Sequence, residues 1–392
     1  MAYVEVDYFQ LFKDQQRVGG DAFLSRKVRD ENRVISVLSD GLGSGVKANV
    51  LSTLTATMAL NYVTNHMDIE KAARVIMKTL PVCKTRKISY STFSIVDVEK
   101  DNRVRIVEYD NPPFLLVRNG KVIDTAKQSI KLDNNTHTKE DVLKCVEFKA
   151  RLGDRIILFS DGVSQSGMGT PEFPLGWRES SIRQFVCGIL EREPELSARD
   201  LSRRIVQKAY THNYNAAWDD ITCGVINVRQ PRELLIMTGP PIHKERDQEM
   251  AEIFELFTGE KILCGGTTAN IISRELGRPI DVDLSHIHLD VPPTSNMQGA
   301  SLVTEGTITL GKVVEILESG LNPDSMKPNG AVLLVQHLLN HDKIHFCVGT
   351  KINDAHQDPH VPVELEIRRN IIKRIQQALE DKHLKETTLQ FI

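Results

Sequence analysis

The sequence predicts an α+β fold for residues 1–230 and a smaller α/β domain for residues 231–392. Three observations carry this. Strand-like segments follow one another as a meander at 89–97, 103–110 and 114–118, with turn residues at Asp101-Asn102 and Asn119-Gly120. Helical patterns stand apart from them, at 46–66, 69–80 and 178–213. After Gln230-Pro231-Arg232 the order changes to strands alternating with helices.

Taken in order, residues 2–12 alternate as a strand does. Val34-Ile35-Ser36-Val37-Leu38 is a short apolar run suited to a buried strand, and it ends in the glycine-rich Ser39-Asp40-Gly41-Leu42-Gly43-Ser44-Gly45. The next helix has apolar residues at 50, 51, 54, 58 and 62; another at 69–80 stops before Pro81. The polar stretch 128–141 reads as a loop. Strands follow at 143–149 and 155–159, the second running into Ser160-Asp161-Gly162. Glu195 to Ala209 is the clearest helix of the 178–213 block, with Ser197 as an N-cap. Ala217-Trp218-Asp219-Asp220-Ile221-Thr222 then leads into a strand at 223–228. Beyond residue 231 the expected elements are a strand at 234–237, a helix at 244–257, a strand at 262–263 and a helix from Gly266 to about 276. Helices near 311–319 and 331–340, a strand at 343–348 and a charged helix at 363–383 complete the chain.

Composition excludes several function classes. With 49 basic and 52 acidic residues, a net charge of -3 and no long run of like charge, nothing suggests a nucleic-acid-binding surface. No stretch reaches 18 apolar residues, so no membrane span is expected. The N-terminus lacks a basic start and an apolar core, so it does not read as a signal peptide. Six cysteines, at 83, 145, 187, 223, 264 and 347, form no Cys-x-x-Cys pair. The expected location is therefore the reducing cytoplasm.

The chemistry is carried by aspartates. Two strands end alike, in Ser39-Asp40-Gly41 and Ser160-Asp161-Gly162; Asp219-Asp220-Ile221-Thr222 opens a third, and Gly20-Asp21 lies near the start. A lone Asp-Gly is ordinarily a turn. Two strand-terminal Ser-Asp-Gly motifs and an Asp-Asp-x-Thr within 230 residues are a rarer combination. Carboxylates at strand ends can converge on one rim of a sandwich, and oxygen ligands without histidine or cysteine suit Mg²⁺ or Mn²⁺. Glycine after Asp40 and Asp161 permits close backbone approach.

These residues resemble the metal-dependent serine/threonine protein phosphatase family (PPM, type 2C), in its bacterial branch typified by SpoIIE. The resemblance covers residues 15–228. It rests on the order Gly20-Asp21, Ser-Asp-Gly-x-Gly-x-Gly at 39–45, Tyr109-Asp110-Asn111-Pro112-Pro113, Gly153-Asp154 before Ser-Asp-Gly at 160–162, and Asp-Asp-Ile-Thr at 219–222. It implies two antiparallel sheets packed face to face with helices outside. It implies catalytic Asp40, Asp161 and Asp219, with Asp40 bridging two Mn²⁺ or Mg²⁺ ions. The Gly41 carbonyl would be a further ligand, Asp21 the early acidic residue, and Asp220 would stand behind the ligands. The implied reaction is in-line attack of water on a phosphoserine or phosphothreonine ester of a protein, without a phospho-enzyme. An anti-anti-sigma-type regulator is the kind of substrate implied. No counterpart of the phosphate-binding arginine of the eukaryotic members is evident. The alternatives are a catalytically silent binding module and a metal phosphohydrolase with a small-molecule substrate.

Weaker signals remain. His286-x-His288 and the series His337, His341, His345 could ligate a metal, but surface or core histidines are the plainer reading. Gly265-Gly266-Thr267-Thr268 follows a strand and opens a helix, which could hold an anion; a tight strand-to-helix turn is favoured. Residues 232–392 match no recognised family, and a regulatory role for them is an expectation from position alone.

Overall fold

The computed structural model of the chain describes residues 2–80, 91–132, 141–283, 292–351 and 363–392. Two compact units divide at Gln230 and Pro231.

The first unit runs β1 (Tyr3–Leu11), β2 (Asp21–Val28), β3 (Arg33–Gly41), α1 (Gly45–Thr64), α2 (Ile69–Thr79), β4 (Ser91–Val98), β5 (Arg103–Tyr109), β6 (Leu115–Arg118), β7 (Lys121–Ile123), β8 (Gln128–Leu132), β9 (Asp141–Lys149), β10 (Arg155–Phe159), α3 (Asp161–Ser164), α4 (Glu179–Arg192), α5 (Ala198–His212) and β11 (Ile221–Arg229). The strands form a five-stranded sheet, β1-β11-β10-β6-β7, and a six-stranded sheet, β2-β3-β4-β5-β9-β8. Every pairing in both is antiparallel.

Side-chain alternation builds four layers. Leu38, Val96 and Ile106 of the six-stranded sheet meet Leu116, Ile156, Leu158 and Ile226 of the five-stranded sheet in one core. The alternate residues Ile157, Phe159 and Val225 face α4 and α5 through Val186, Leu201 and Ile205. Ile35, Val37 and Ile95 face α1 and α2 through Ala56, Ala59 and Ile76. Strands buried on both faces read as unbroken apolar runs, which is why β3 and β10 stand out in the sequence.

Three expectations are corrected. Residues 128–132 form β8, paired with β9 from Gln128↔Cys145 to Leu132↔Asp141, where a loop was expected. Its polar residues suit an edge strand, which has one solvated side. Helix α5 begins at Ala198, with Ser197 as the N-cap accepting from the Asp200 amide. The buried face of α1 also differs from its apolar spacing: Ala48, Ser52, Thr55, Ala56 and Ala59 face inward, while Val46, Val50 and Leu54 are exposed. Small residues let this helix lie close to β3.

The second unit runs β12 (Glu233–Thr238), α6 (Asp247–Leu256), β13 (Glu260–Cys264), α7 (Gly266–Leu276), β14 (Ile280–Asp283), β15 (Thr294–Met297), β16 (Leu302–Thr304), α8 (Thr307–Ser319), α9 (Gly330–Asn340), β17 (Lys343–Val348), α10 (Val363–His383) and β18 (Glu386–Phe391). Its sheet has the order β14-β15-β16-β13-β12-β17-β18, with the five strands from β16 to β18 parallel. Ile236, Ile262 and Phe346 pack against α8, α9 and α10 on one face. Met237, Leu263 and Cys347 pack against α6 and α7 on the other. This is a doubly wound α/β arrangement. Among the described residues no helix is long and apolar enough to cross a membrane.

Candidate metal centre

Strand pairing brings the aspartates to one rim of the first unit. Asp21 opens β2 and lies directly opposite Asp40, the penultimate residue of β3. On the other sheet β10 pairs with β11, ending at Phe159↔Cys223, so Ser160-Asp161 runs beside Ile221-Thr222. Hydrogen bonds join the two sheet ends. Thr222 Oγ1 donates to Asp21 Oδ2 at 2.6 Å. The Gly20 amide donates to Asp220 Oδ2 at 2.8 Å, and the Lys13 amide to Asp220 Oδ1 at 3.1 Å. Asp220 thus staples the loop between β1 and β2 to the start of β11.

The serines and glycines of the two motifs have structural tasks. Ser160 Oγ accepts from the Thr222 amide at 3.1 Å, fixing the end of β10 to β11. Ser39 Oγ lies 2.7 Å from Ser91 Oγ, which donates to the Asp40 carbonyl at 3.0 Å. A Cβ on Gly41 would stand 2.2 Å from the Ala48 carbonyl oxygen, and one on Gly162 would stand 2.1 Å from that of Asp220. Neither backbone approach tolerates a side chain.

The electrostatics are those of crowded like charges. Asp40 is raised well above the ordinary carboxylate range, first by burial and then by Asp21, Asp161, Asp219 and Asp220. Burial pushes Asp21 up to about 8; hydrogen bonds from Thr222 and Ser160 oppose this, and Asp220 and Asp161 add to it. Burial also raises Asp220, against the Gly20 and Lys13 amides. Asp161 opens α3 and accepts from Gln165 Nε2 at 3.1 Å. Asp219 is half exposed, with Lys13 Nζ 3.7 Å from its Oδ1. Carboxylates held together in this way favour either protonation or a bound cation. An all-oxygen donor set fits Mg²⁺ or Mn²⁺, so the residues present suit the expected ions. Lys13 and Thr222 were absent from the sequence-derived site. Thr222 sits within the quoted Asp-Asp-Ile-Thr motif, whereas Lys13 carries no local signal.

The family model of stage II sporulation protein E (SpoIIE) matches residues 30–229, half of the chain. The chain belongs to the SpoIIE family. The match contains Asp40, Gly41, Asp161, Asp219 and Asp220; Asp21 precedes it, and the second unit follows it. The first unit of this SpoIIE-family chain has the type 2C phosphatase fold. Similar solved structures include the type 2C phosphatase domain and a regulatory-domain fragment of Bacillus subtilis SpoIIE. It is 17% identical with a TM-score of 0.47, over 58% of this chain and 64% of that one. Another is the RsbU and RsbW domains of a Mycobacterium tuberculosis protein, 16% identical with a TM-score of 0.47, over 65% and 68%. A third is RsbX in complex with magnesium, 20% identical with a TM-score of 0.41, over 57% and 95%. No curated protein matches the chain.

The weaker candidates separate. His337 and His341 come together with Glu260, one ligand atom from each lying within 4.8 Å of the others. His345 instead pairs through Nδ1 with Thr388 Oγ1 at 2.9 Å. His286 and His288 lie outside the described residues. Gly265 is the turn between β13 and α7, at φ 123°.

Proposed function

We propose that residues 1–230 hydrolyse phosphoserine or phosphothreonine on a protein, using Mn²⁺ or Mg²⁺ held by Asp21, Asp40, Gly41, Asp161, Asp219 and Asp220. One observation carries the reading: five carboxylates from four chain segments share one rim, and burial together with the neighbouring carboxylates raises Asp21, Asp40 and Asp220. Two ions bound there would lower the pKa of a water molecule and neutralise phosphoryl charge. Asp40, with four other carboxylates around it, is the residue best suited to lie between them. Ser160 and Thr222 hold Asp21 in position. Lys13, whose side chain is about one-third exposed, is suited to steady the phosphate. No cysteine nucleophile enters the scheme; the Cys223 thiol is buried and its pKa is raised above the usual thiol range.

A protein substrate is favoured over a small one by the exposed stripe Val46, Val50 and Leu54 on α1, which begins just after the Asp40-Gly41 loop. Three apolar side chains one turn apart suit a polypeptide surface better than a free nucleotide or sugar phosphate. A phosphorylated cytoplasmic regulator of the anti-anti-sigma type is the substrate this reading expects.

The test is phosphate release by the full chain with Mn²⁺. Expected is turnover of a phosphoserine protein well above that of nucleotides and sugar phosphates. Val50→Glu is expected to lower kcat/KM on the phosphoprotein about tenfold while leaving p-nitrophenyl phosphate hydrolysis intact. Equal loss on both would remove the protein-docking argument. No Mn²⁺-stimulated release from any substrate would favour a silent binding module.

A further inference from the structure

The second unit gathers a nitrogen-rich ligand set that the aspartate site lacks. β13 begins at Glu260, His337 lies in the last turn of α9, and His341 is the residue just past that helix. His337 Nδ1 is 2.9 Å from Glu260 Oε2, and His341 Nε2 is 3.6 Å from Glu260 Oε1. The two imidazole rings lie 6.3 Å apart between centroids and only 22° from coplanar orientation.

The tautomer of His341 makes this more than an ion pair. Its Nδ1 is 2.7 Å from the His337 carbonyl oxygen, which can only accept, so Nδ1 carries the hydrogen. In the neutral ring Nε2 is then a bare lone pair, and it faces a carboxylate oxygen. Two acceptors pointed at each other need a proton or a cation between them. His341 is buried. Its side chain is 7% exposed, whereas those of His337 and Glu260 are 28% and 46% exposed. One anchor is therefore rigid and buried, and the other two are reachable from solvent.

We propose that Glu260, His337 and His341 bind one divalent transition-metal ion of the zinc class. Two imidazoles and a carboxylate suit zinc and leave a fourth position for water or another ligand. Zinc bonds of about 2.0–2.2 Å set neighbouring donors roughly 3.4 Å apart in a tetrahedron. The present separations, all within 4.8 Å, approach that spacing and close by side-chain rotation. The His337 carbonyl is the outer-shell acceptor that commonly orients a ligating imidazole. An ion there replaces the proton shared by His337 and Glu260. It also ties together two elements 77 residues apart. The site is independent of the phosphatase reading, because magnesium and manganese prefer the carboxylate rim and zinc prefers nitrogen.

The experiment titrates Zn²⁺ into the chelator-treated full chain in excess Mg²⁺, with Co²⁺ as a second, spectroscopic probe. Expected is one equivalent of Zn²⁺ bound at micromolar or tighter Kd, ligand-field absorption of Co²⁺ showing nitrogen ligation, and a raised unfolding temperature. His341→Ala, His337→Asn and Glu260→Gln should each weaken that binding at least tenfold, while Asp40→Asn leaves it unchanged. His337 and Glu260 are partly exposed, so their variants decide the matter even if His341→Ala fails to fold. No stoichiometric Zn²⁺ binding would overturn the proposal. So would binding untouched by the His337 and Glu260 variants, or binding lost in Asp40→Asn.

Discussion

Asp40 is the electrostatic centre of the proposed metal site, because four other carboxylates act on it. Its raised pKa is also a statement about stability. A carboxyl that ionises less readily folded than unfolded costs stability as pH rises from its unfolded pKa near 3.8 towards its folded one. At pH 8 the metal-free chain bears that penalty, and a bound cation relieves it. Asp40→Asn should therefore lower Mn²⁺-dependent turnover by about 100-fold or more, equivalent to ~2.7 kcal/mol of barrier. The same variant, free of metal at pH 8, should unfold at a temperature no lower than wild type, and Mn²⁺ should raise it less. Steady-state kinetics and thermal unfolding measure the two arms. Near-wild-type turnover at limiting Mn²⁺ would remove Asp40 from the site, and a large drop in unfolding temperature would make the activity loss structural. Asp40, Asp161 and Asp219 were legible in the sequence because each ends or precedes an apolar strand. The place of Asp21 was less so, since its partner Asp40 is set by strand register rather than by any neighbour in the chain. Glu260 had no signal at all: only folding sets it beside His337 and His341.

Elements hold the site in shape by close backbone approach. The loop after β10 passes so near Asp220 that a Cβ on Gly162 would stand 2.1 Å from its carbonyl oxygen. Gly162→Ala should force β10 and β11 apart at the rim, costing about 1–3 kcal/mol of stability and lowering activity through displaced Asp161 and Asp219. Chemical denaturation with Mn²⁺ kinetics checks this; a variant as stable and active as wild type would show that the loop yields freely. Helix α5 gives a pH-dependent prediction. His212 near its end is buried against Phe173 and Trp177, with ring centroids 4.1 and 4.8 Å away. Burial lowers its pKa from 6.5 to about 4, with Lys208 adding. Between those values the unfolded chain holds a proton that the folded ring does not, so stability falls as pH falls from 6.5 to 4. The loss is about 2–3 kcal/mol at the low end. His212→Gln should flatten this slope, read by fluorescence of the two tryptophans, Trp177 and Trp218; parallel slopes would mean the ring is not buried neutral. Elements buried on both faces, such as β3 and β10, were legible as apolar runs. Four edge or short strands were not: β8, β14, β16 and β18 owe their strand geometry to pairing partners, which local sequence does not show.

At the scale of the molecule, each unit has apolar cores of its own. The apolar clusters of residues 2–230 draw only on that segment, and those of residues 231–392 only on theirs. The first unit's five-stranded sheet carries both chain ends of the unit in paired strands, since β1 runs against β11 from Tyr3↔Arg229 to Leu11↔Ile221. Among the described residues no sheet draws strands from both sides of residue 230. Truncation after Gln230 should therefore leave a folded fragment that retains Mn²⁺-dependent hydrolysis, because every proposed ligand and both sheets remain. The second unit then acts, if on the reaction at all, by changing rate or substrate choice rather than by supplying a catalytic group. We expect the fragment and the full chain to agree within a few fold on p-nitrophenyl phosphate. They should differ on a phosphoprotein, or in their response to ions bound by the second unit. A ligand can shift activity only by binding two arrangements with different affinity. Zn²⁺ added in excess Mg²⁺ is thus the sharpest probe, altering the full chain and leaving the fragment unchanged. A fragment that cannot fold would mean that the two units form one structural whole. Identical behaviour of the two proteins on every substrate, with and without Zn²⁺, would give residues 231–392 a task separate from the hydrolysis.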